Sequence, residues 1–282
     1  MDITEMVQRA DPRLFNPFRP GNVLPKLNAG LKLTDSSLII QAASAFYPLA
    51  ASIMQSVYDP SAYREETLRK VSTMVGFDAL ISGASDILIA TAPSDEQEIA
   101  MKRSGYPFSY VTLCPEPLVF LANRSNPVDT LTSGQIRDMY SDALTSWKDA
   151  GGKDLPVTTY QLEKNNGSHS AFEQIVPHPS TGPAHVIIRT MPEIVDAVAK
   201  NEEGICYAFW SYYTKMYATR LTKMLNIDDR GPMADDYPFC FPVYMMYRSD
   251  NMKPAVAELA QWIQTDEGRE IIRRSNLCWR SI

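Results

Sequence analysis

Two loops of small polar residues each stand directly before a predicted helix, and both could contact a small ligand. The first loop, residues 42–47, contains Ser44 and follows an apolar run at 38–41 that is typical of a buried strand. The second loop, residues 165–170, contains Gly167, which can adopt a positive φ. Backbone N–H groups at a helix N-terminus attract anions and polar ligand atoms. Either loop therefore suits ligand binding, although the same spacing is typical of an ordinary helix cap or of close helix–sheet packing.

Asp86 is a third candidate, because it opens the apolar run at 87–90. A carboxylate at a strand end can accept a hydrogen bond from a ligand, and it is equally typical of a surface turn or a cap. The aromatic stretch at 207–213 can line a cleft, and core packing is an alternative role for these residues. The residues alone leave both interpretations open at each position.

Signatures of catalysis are missing from the sequence, which has no G-x-S-x-G, S-x-x-K, H-E-x-x-H, Walker A or G-x-G-x-x-G pattern. The histidines at 169, 178 and 185 lack metal-ligand spacing, and the cysteines at 114, 206, 240 and 278 form no C-x-x-C pair. We therefore predict no metal, no cofactor and no enzymatic activity. The even number of cysteines permits disulfides without requiring them.

Apolar runs typical of strands alternate with helical patterns along the whole chain. The runs lie at 38–41, 87–90, 119–122, 157–161, 204–209 and 223–227, and the helical patterns include 47–57, 67–80, 94–103, 132–140, 191–200 and 254–265. This alternation predicts an α/β fold with mainly parallel sheets, which would hold the candidate loops at strand ends.

Composition excludes several classes of protein. The chain has 282 residues, of which 45% are hydrophobic and 21% charged, and its net charge is −6. This balance is that of a soluble globular protein and does not suggest a basic surface for nucleic acid. No apolar run approaches the roughly 18–20 residues of a membrane span. Residues 1–12 lack the apolar core of a secretory signal.

Several motifs, in order from about residue 36 to 275, resemble those of the phosphate-binding proteins of bacterial ABC-type phosphate importers. The run A-S-A-F-Y-P-L at 43–49 is similar to G-[ST]-[ST]-A-L-Y-P-L of the Gram-positive branch. The runs N-P-V-D at 126–129 and L-T-S-G-Q-I-R-D-M-Y at 131–140 resemble N-P-V-D-x-L-T-x-x-Q-I-R-D-I-Y. The runs at 85–94, 147–152, 167–173, 204–209 and 262–268 resemble further family motifs.

The resemblance implies a two-lobed, type II periplasmic-binding-protein-like fold. Each lobe would be a mainly parallel sheet flanked by helices, and two hinge crossover strands near 119–123 and 241–247 would join the lobes. We expect residues 1–35 to form an N-terminal arm, residues 36–123 plus 239–282 the discontinuous lobe one, and residues 124–238 lobe two. The ligand would bind between lobes that close by hinge motion.

The resemblance also implies ligand contacts at specific positions. These are Ser44 and Ala45 in the first loop, Ser72 or Thr73 at a second position, Asp86 as the acid, and Asn166, Gly167 and Ser168 in the second loop. An extracytoplasmic protein of this family captures phosphate or another oxyanion for an ABC transporter permease. We accordingly expect a monomer at the cell surface or outside the cell, with membrane attachment only through a leader or anchor that this chain lacks.

The chain departs from the family at its arginines, which fall here at Pro115 and Leu162. A doubly charged oxyanion favours bidentate guanidinium contacts, and each charge-assisted hydrogen bond contributes about 1.5–3 kcal/mol. Phosphate binding would therefore be much weaker unless Arg103, Lys164 or another cation substitutes. Two alternatives stay open: a diverged pocket for a different small molecule, and a protein-interaction module that has lost anion binding.

Overall fold

The chain divides into two compact units, and it changes unit once near residue 10 and twice more within long strands. The structure is a computed structural model that describes residues 7–9 and 11–275. The first unit takes the described residues of Ala10–Glu116 and Pro242–Ile282, and the second those of Met1–Arg9 and Pro117–Phe241. Strands and helices alternate in both units, which confirms the predicted α/β class.

The strands of the described residues are short except for two. They are β1 Val7–Arg9, β2 Ile40–Ala43, β3 Leu68–Val71, β4 Ile87–Thr91, β5 Phe108–Asn123, β6 Thr130–Leu131, β7 Thr158–Leu162, β8 His185–Ile188, β9 Gly204–Phe209, β10 Tyr217–Thr219, β11 Thr222–Met224, β12 Asn226–Ile227 and β13 Cys240–Arg248. The two long strands, β5 and β13, contain two of the three points at which the chain changes unit.

The α-helices mostly follow strands, as an α/β fold requires. They are α1 Tyr47–Val57, α2 Thr73–Ser82, α3 Asp95–Ser104, α4 Ser133–Tyr140, α5 Gly167–Glu173, α6 Met191–Lys200, α7 Trp210–Lys215, α8 Pro254–Trp262 and α9 Asp266–Arg274. Most begin at a polar N-cap, and Ser94, Thr132 and Thr190 form full capping boxes.

The sheet of the first unit has β2 at its centre, parallel to β3 on one side and to β4 on the other. Strand β13 pairs antiparallel with the far side of β4. All five residues of β4 are buried, which is typical of a parallel strand covered on both faces. A Cβ on Gly76 of α2 would lie 2.6 Å from Cδ1 of Leu88, so glycine lets this helix approach the sheet closely.

The sheet of the second unit has β7 between β8 and β9, all three parallel. Strand β5 runs antiparallel to β9, and β11 pairs antiparallel with β5. Two small ribbons complete the unit, one from β1 and β10 and one from β6 and β12. Both units therefore contain parallel strands followed by helices, which is the arrangement that the sequence predicted.

Two local predictions were wrong, and one strand was missed. The helix predicted over 67–80 is a strand followed by a helix, because residues 68–71 pair with β2 and Ser72 caps α2. The strand predicted over 223–227 is split between β11 and β12, which pair with different partners. Strand β8 was not predicted, since its exposed Val186 and Ile187 lack the pattern of a buried strand.

Within residues 7–9 and 11–275, no helix has the length and apolar character that a membrane span requires. The same residues contain no group of three or more His, Cys, Asp or Glu side chains that could hold a metal ion. Cys114 and Cys206 are buried, and Cys278 lies outside the described residues.

Candidate functional site

The first candidate loop is the turn that connects β2 to α1. Strand β2 ends at Ala43, a short 3-10 helix spans Ser44–Phe46, and α1 begins at Tyr47. The Ser44 hydroxyl donates a hydrogen bond to the carbonyl oxygen of Val71 at 3.3 Å, and Ala45 is buried. The loop therefore has the predicted strand–turn–helix form and is tied to the neighbouring strand β3.

Ser72 joins Ser44 at the same edge of the sheet. Ala43 and Val71 are register partners in the parallel β2–β3 pair, so the next residues, Ser44 and Ser72, both follow the carboxyl ends of their strands. The Ser72 hydroxyl accepts a hydrogen bond from the Val75 N–H at 3.3 Å and caps α2. The carboxyl edge of parallel strands is where ligands of open α/β sheets bind. The structure thus brings two predicted site residues together.

Thr91 is a third hydroxyl at this edge, and sequence reasoning missed it. The register pair Ala42 and Ile89 places Thr91 level with Ser44. Thr91 is the last residue of β4 and is buried. Its signal in the sequence was its position directly after the apolar run at 87–90, at the same strand end that Ser44 follows.

Asp86 lies at the opposite edge of this sheet. It precedes β4, five residues before Thr91, and a strand rises about 3.3 Å per residue. Its carboxylate accepts hydrogen bonds from the Ile39 N–H at 2.8 Å and from Asn251 Nδ2 at 2.9 Å. Lys253 Nζ lies 2.7 Å from the same carboxylate. The structure separates Asp86 from Ser44 and Ser72. Asp86 is buried, so it is not the surface turn residue considered as an alternative, and its carboxylate is engaged by backbone and side-chain donors.

The second candidate loop connects β7 to α5 in the second unit. The side-chain oxygen of Asn166 caps the helix, accepting hydrogen bonds from the Ser168 N–H at 3.2 Å and from Ser168 Oγ at 2.9 Å. The positive φ that we expected at Gly167 occurs instead at Asn165, where φ is 63°. Asparagine tolerates this conformation because its short polar side chain bonds locally. Gly167 is the first residue of the helix and is buried.

Asn166, Gly167 and Ser168 therefore form one capped turn. Ser168 is buried, and its hydroxyl is engaged by Asn166. A ligand would reach the Ser168 hydroxyl only after that hydrogen bond breaks. Ligand contact by these three residues stays a prediction.

Hydrogen bonds through Tyr207 link His169, in α5, to Leu162, at the end of β7, and sequence reasoning did not find them. The Tyr207 hydroxyl accepts a hydrogen bond from the Leu162 N–H at 3.0 Å and lies 2.7 Å from His169 Nδ1. The Tyr207 hydroxyl can donate to Nδ1 when the imidazole proton is on Nε2. That nitrogen faces Glu173 Oε1 at 3.4 Å.

Burial is the main cause that lowers the pKa of His169, with Lys164 acting in the same direction and Glu173 opposing them. A protonated imidazole would also turn a donor toward the Tyr207 hydroxyl and leave the buried Tyr207 proton without its acceptor. The neutral tautomer is therefore the form that supports this loop. Residues 38 positions apart in the chain make the contact, which is why no local motif revealed it.

The aromatic residues around these hydrogen bonds are core residues. Phe172 stacks on Tyr207 with ring centroids 4.2 Å apart and planes 12° apart. Tyr140 packs on Phe172 edge-on at 4.6 Å, and Phe209 is buried at the end of β9. Of the two roles considered for the stretch 207–213, core packing is the one that the burial supports for most of its residues.

Two cations were considered as replacements for the missing arginines. Arg103 lies in the last turn of α3, the helix that begins beyond the carboxyl end of β4 and runs ten residues away from it. This places Arg103 about 12 Å along the helix axis from its start. Lys164 is exposed and stands two residues before Asn166. Lys164 is therefore the better placed cation for a ligand at its own loop.

Comparison with known proteins decides the family. The PBP superfamily domain matches residues 29–267, which is most of the chain. This chain belongs to the PBP superfamily. The matched range contains both candidate loops and all the predicted site residues, whereas residues 1–28 precede it.

Relatives within the PBP superfamily are phosphate-binding proteins by name. The phosphate-binding protein PstS of Staphylococcus epidermidis is 24% identical over 215 residues, which cover 71% of this chain and 66% of that protein. This chain therefore spans just under two thirds of that relative's length.

Solved structures show the shared fold. A protein from Clostridium perfringens, assigned as a phosphate ABC transporter substrate-binding protein and solved with bound phosphate, has a TM-score of 0.67 and 20% identity, covering 84% of this chain and 97% of that one. An ABC-type phosphate transport receptor from Vibrio cholerae has a TM-score of 0.63 and 17% identity, covering 86% of this chain and 100% of that one. At these identities the likeness establishes the fold and does not fix the ligand.

Proposed function

We propose that this chain is a solute-binding protein that captures a small oxyanion, phosphate first, and releases it unchanged to an ABC importer. The observation that carries this proposal is the alignment of Ser44 and Ser72 at the carboxyl edge of the first unit's sheet, within a chain of the PBP superfamily. Hydroxyls and helix N-termini at such an edge suit an anion that needs several hydrogen-bond donors. The named relatives support phosphate as the first ligand to test.

The proposed contacts come from both loops. In the first unit they are Ser44, the backbone of Ala45, and Ser72. In the second unit they are Asn166, Gly167 and Ser168. Thr91 and Lys164 are added because of their positions, and Asp86 is left out because it lies at the opposite edge of its sheet. That both loops serve one ligand is a prediction from the sequence, which variants in each loop can test.

A second candidate function is capture of a small organic molecule that carries both an apolar group and an anionic group. Met74 and Val75 are 52% and 47% exposed in the first turn of α2, immediately after Ser72. Apolar side chains beside a binding hydroxyl favour a ligand with an apolar part. The missing family arginines point in the same direction, since inorganic phosphate gains most from guanidinium contacts.

A thermal-shift panel on the intact protein tests these functions. A ligand that binds only the folded state raises its stability by RT ln(1 + [L]/Kd), or about 4 kcal/mol at a thousandfold excess over Kd. A higher midpoint with phosphate supports the first function. A shift only with organic anions supports the second, and no shift with phosphate, sulfate, molybdate, tungstate or an organic-anion library argues against both.

The cellular setting follows from the same proposal. We infer that the protein acts outside the cytoplasm, at the cell surface or beyond it, and delivers its ligand to a transporter permease. We propose that it acts as a monomer and that its two lobes are bounded near residues 123 and 239, with residues 1–35 as an arm. A pull-down that recovers an importer permease, together with a monomeric mass in solution, would support this setting.

A further inference from the structure

A cavity of about 730 Å³ lies on the first unit between α1 and the segment of residues 18–32, the arm segment. It does not include Ser44 or Ser72 among its lining residues. Its volume is in the range of small-molecule sites, roughly 300–1,000 Å³. Residues 18–28 also precede the part of the chain that matches the PBP superfamily. The cavity therefore lies where residues that precede the family's shared domain pack on that domain, and it is separate from the candidate loops.

Specific hydrogen bonds to α1 hold the walls of the cavity in place. Gln55 Oε1 accepts the Phe18 N–H at 3.1 Å and Asn22 Nδ2 at 2.7 Å. Farther along the arm segment, the Leu27 N–H donates to Ser56 Oγ at 3.0 Å. Because both side-chain acceptors belong to one helix, the arm segment keeps a defined distance from α1, and the cavity is a built feature of the fold.

The cavity has a cationic lining in an acidic protein. Arg19, Lys26 and Lys32 line it, and no Asp or Glu does, although the whole chain carries a net charge of −6. Acids near these cations stand outside the lining. Asp11 pairs with Arg13 at 2.7 Å, and Asp59 accepts hydrogen bonds from Ser61, although Lys32 also helps to lower the pKa of Asp59 and of Glu267. The lining therefore favours a ligand with negative charge.

Apolar surface completes the lining. Phe18, Leu24, Leu27 and Tyr58 contribute to it. Leu24 and Tyr58 are buried, whereas Phe18 and Leu27 are half-buried and keep apolar surface open to water. An inorganic anion would leave the surface of Phe18 and Leu27 exposed to water, whereas the apolar part of an organic ligand would cover it. Cations together with apolar walls therefore favour an organic anion over an inorganic one.

We propose that this cavity is a second binding site, for a small organic anion in which a carboxylate, sulfonate or phosphate is attached to an aromatic or aliphatic body. The anionic group lies among Arg19, Lys26 and Lys32, and the body lies against Phe18 and Leu27. The proposal is independent of the capture function, because none of the predicted oxyanion contacts lines the cavity.

The test uses 8-anilinonaphthalene-1-sulfonate, an aromatic sulfonate, titrated into the intact folded protein by fluorescence and calorimetry. We expect one saturable site that weakens as salt is raised. Arg19→Glu and Lys26→Glu should each lower the affinity at least tenfold. Lys200→Glu, an exposed lysine of the second unit, makes the same charge change and should leave the affinity unchanged.

Circular dichroism and the thermal midpoint check that each variant is folded, and two cavity variants are used so that one remains informative if the other unfolds. Equal probe affinity in the cavity variants and in Lys200→Glu would overturn the proposal, as would the lack of saturable binding to the folded wild-type protein. Displacement of the probe by inorganic phosphate as readily as by benzoate would also overturn the assignment to organic anions.

The same variants separate this site from the capture function. Ser44→Ala and Ser72→Ala should leave probe binding unchanged, and Lys26→Glu should leave phosphate binding unchanged. Loss of probe binding in Ser72→Ala would contradict a separate site. Failure of phosphate to bind at all would count against the capture function and leave the cavity proposal standing.

Discussion

The hydroxyl of Ser44 donates a hydrogen bond to the carbonyl oxygen of Val71 at 3.3 Å. This contact ties the turn after β2 to the end of β3, directly before Ser72. It brings two loops from separate parts of the sequence to one edge of one sheet. The proposed capture function depends on this edge, and the following predictions test it and the structure that supports it.

Asp86→Ala should lower stability and leave ligand binding unchanged. The substitution removes the acceptor for the Ile39 N–H and the partner of Lys253, and we expect a loss of about 2 kcal/mol in the free energy of unfolding. Urea denaturation measures the loss. Asp250→Ala, which removes an exposed partner of Arg248, is the control and should change stability little. A tenfold rise in the Kd for phosphate in Asp86→Ala would contradict this prediction and show that Asp86 contributes to ligand binding.

Lys164→Met should weaken phosphate binding if Lys164 supplies the positive charge that the family arginines supply elsewhere. Loss of one charge-assisted contact costs about 1.5–3 kcal/mol, or about ten- to hundredfold in Kd. Isothermal titration calorimetry gives the values. Lys148→Met removes a lysine paired with the exposed Asp154 and is the matched control. Identical Kd values for both variants would show that Lys164 makes no contact.

His169 should make stability depend on pH below 6.5. Its folded pKa is lowered, so as pH falls from 6.5 the unfolded chain takes up a proton that the folded chain does not. The free energy of unfolding should therefore decrease as pH falls from 6.5 through the lowered folded value, by at most about 1.4 kcal/mol per pH unit.

Denaturation of wild type and His169→Gln at a series of pH values measures this slope. The variant should lose it, while His178→Asn, at an exposed histidine, should keep it. If the free energy of unfolding of wild type and of His169→Gln changed with pH in the same way, the lowered pKa of His169 would be contradicted.

Gly268→Ala should destabilise the protein although alanine favours helices. A Cβ at position 268 would lie 2.4 Å from the carbonyl oxygen of Ile263, a backbone atom that cannot move away without displacing α9. We expect a loss of about 2 kcal/mol or more, measured by urea denaturation. Gly134→Ala in α4 is the control, since the nearest atom there is 3.6 Å away, and it should gain up to about 1 kcal/mol. Equal effects of the two substitutions would show that the contact at position 268 is relieved at little cost.

The order of strand and helix patterns in the sequence was enough to predict the fold class and the two loops, because strand–turn–helix patterns are local. The same order also indicates at which edge of the sheet a residue lies, and this was overlooked. Asp86 precedes its strand while Ser44 follows its own, so in a parallel sheet the two must lie at opposite edges. The same argument places Thr91 beside Ser44. These positions follow from sequence once the strands are known to be parallel.

Other features depend on contacts that no local pattern records. The β3 strand was missed because its exposed Arg69 and Lys70 stand next to a helical pattern, and only pairing with β2 makes it a strand. The Tyr207–His169 hydrogen bond joins β9 to α5, and no sequence pattern near either residue predicts the contact. Tertiary packing determines such features, so they emerge only from coordinates.

The most direct test of the capture function is calorimetric titration of phosphate into the wild-type protein, the double variant Ser44→Ala/Ser72→Ala, and Ser82→Ala, which removes a hydroxyl from the opposite end of the same α2 helix. The proposal predicts saturable binding to wild type and to Ser82→Ala with equal Kd, and at least tenfold weaker binding to the double variant. Saturable phosphate binding of equal strength in all three proteins would contradict it.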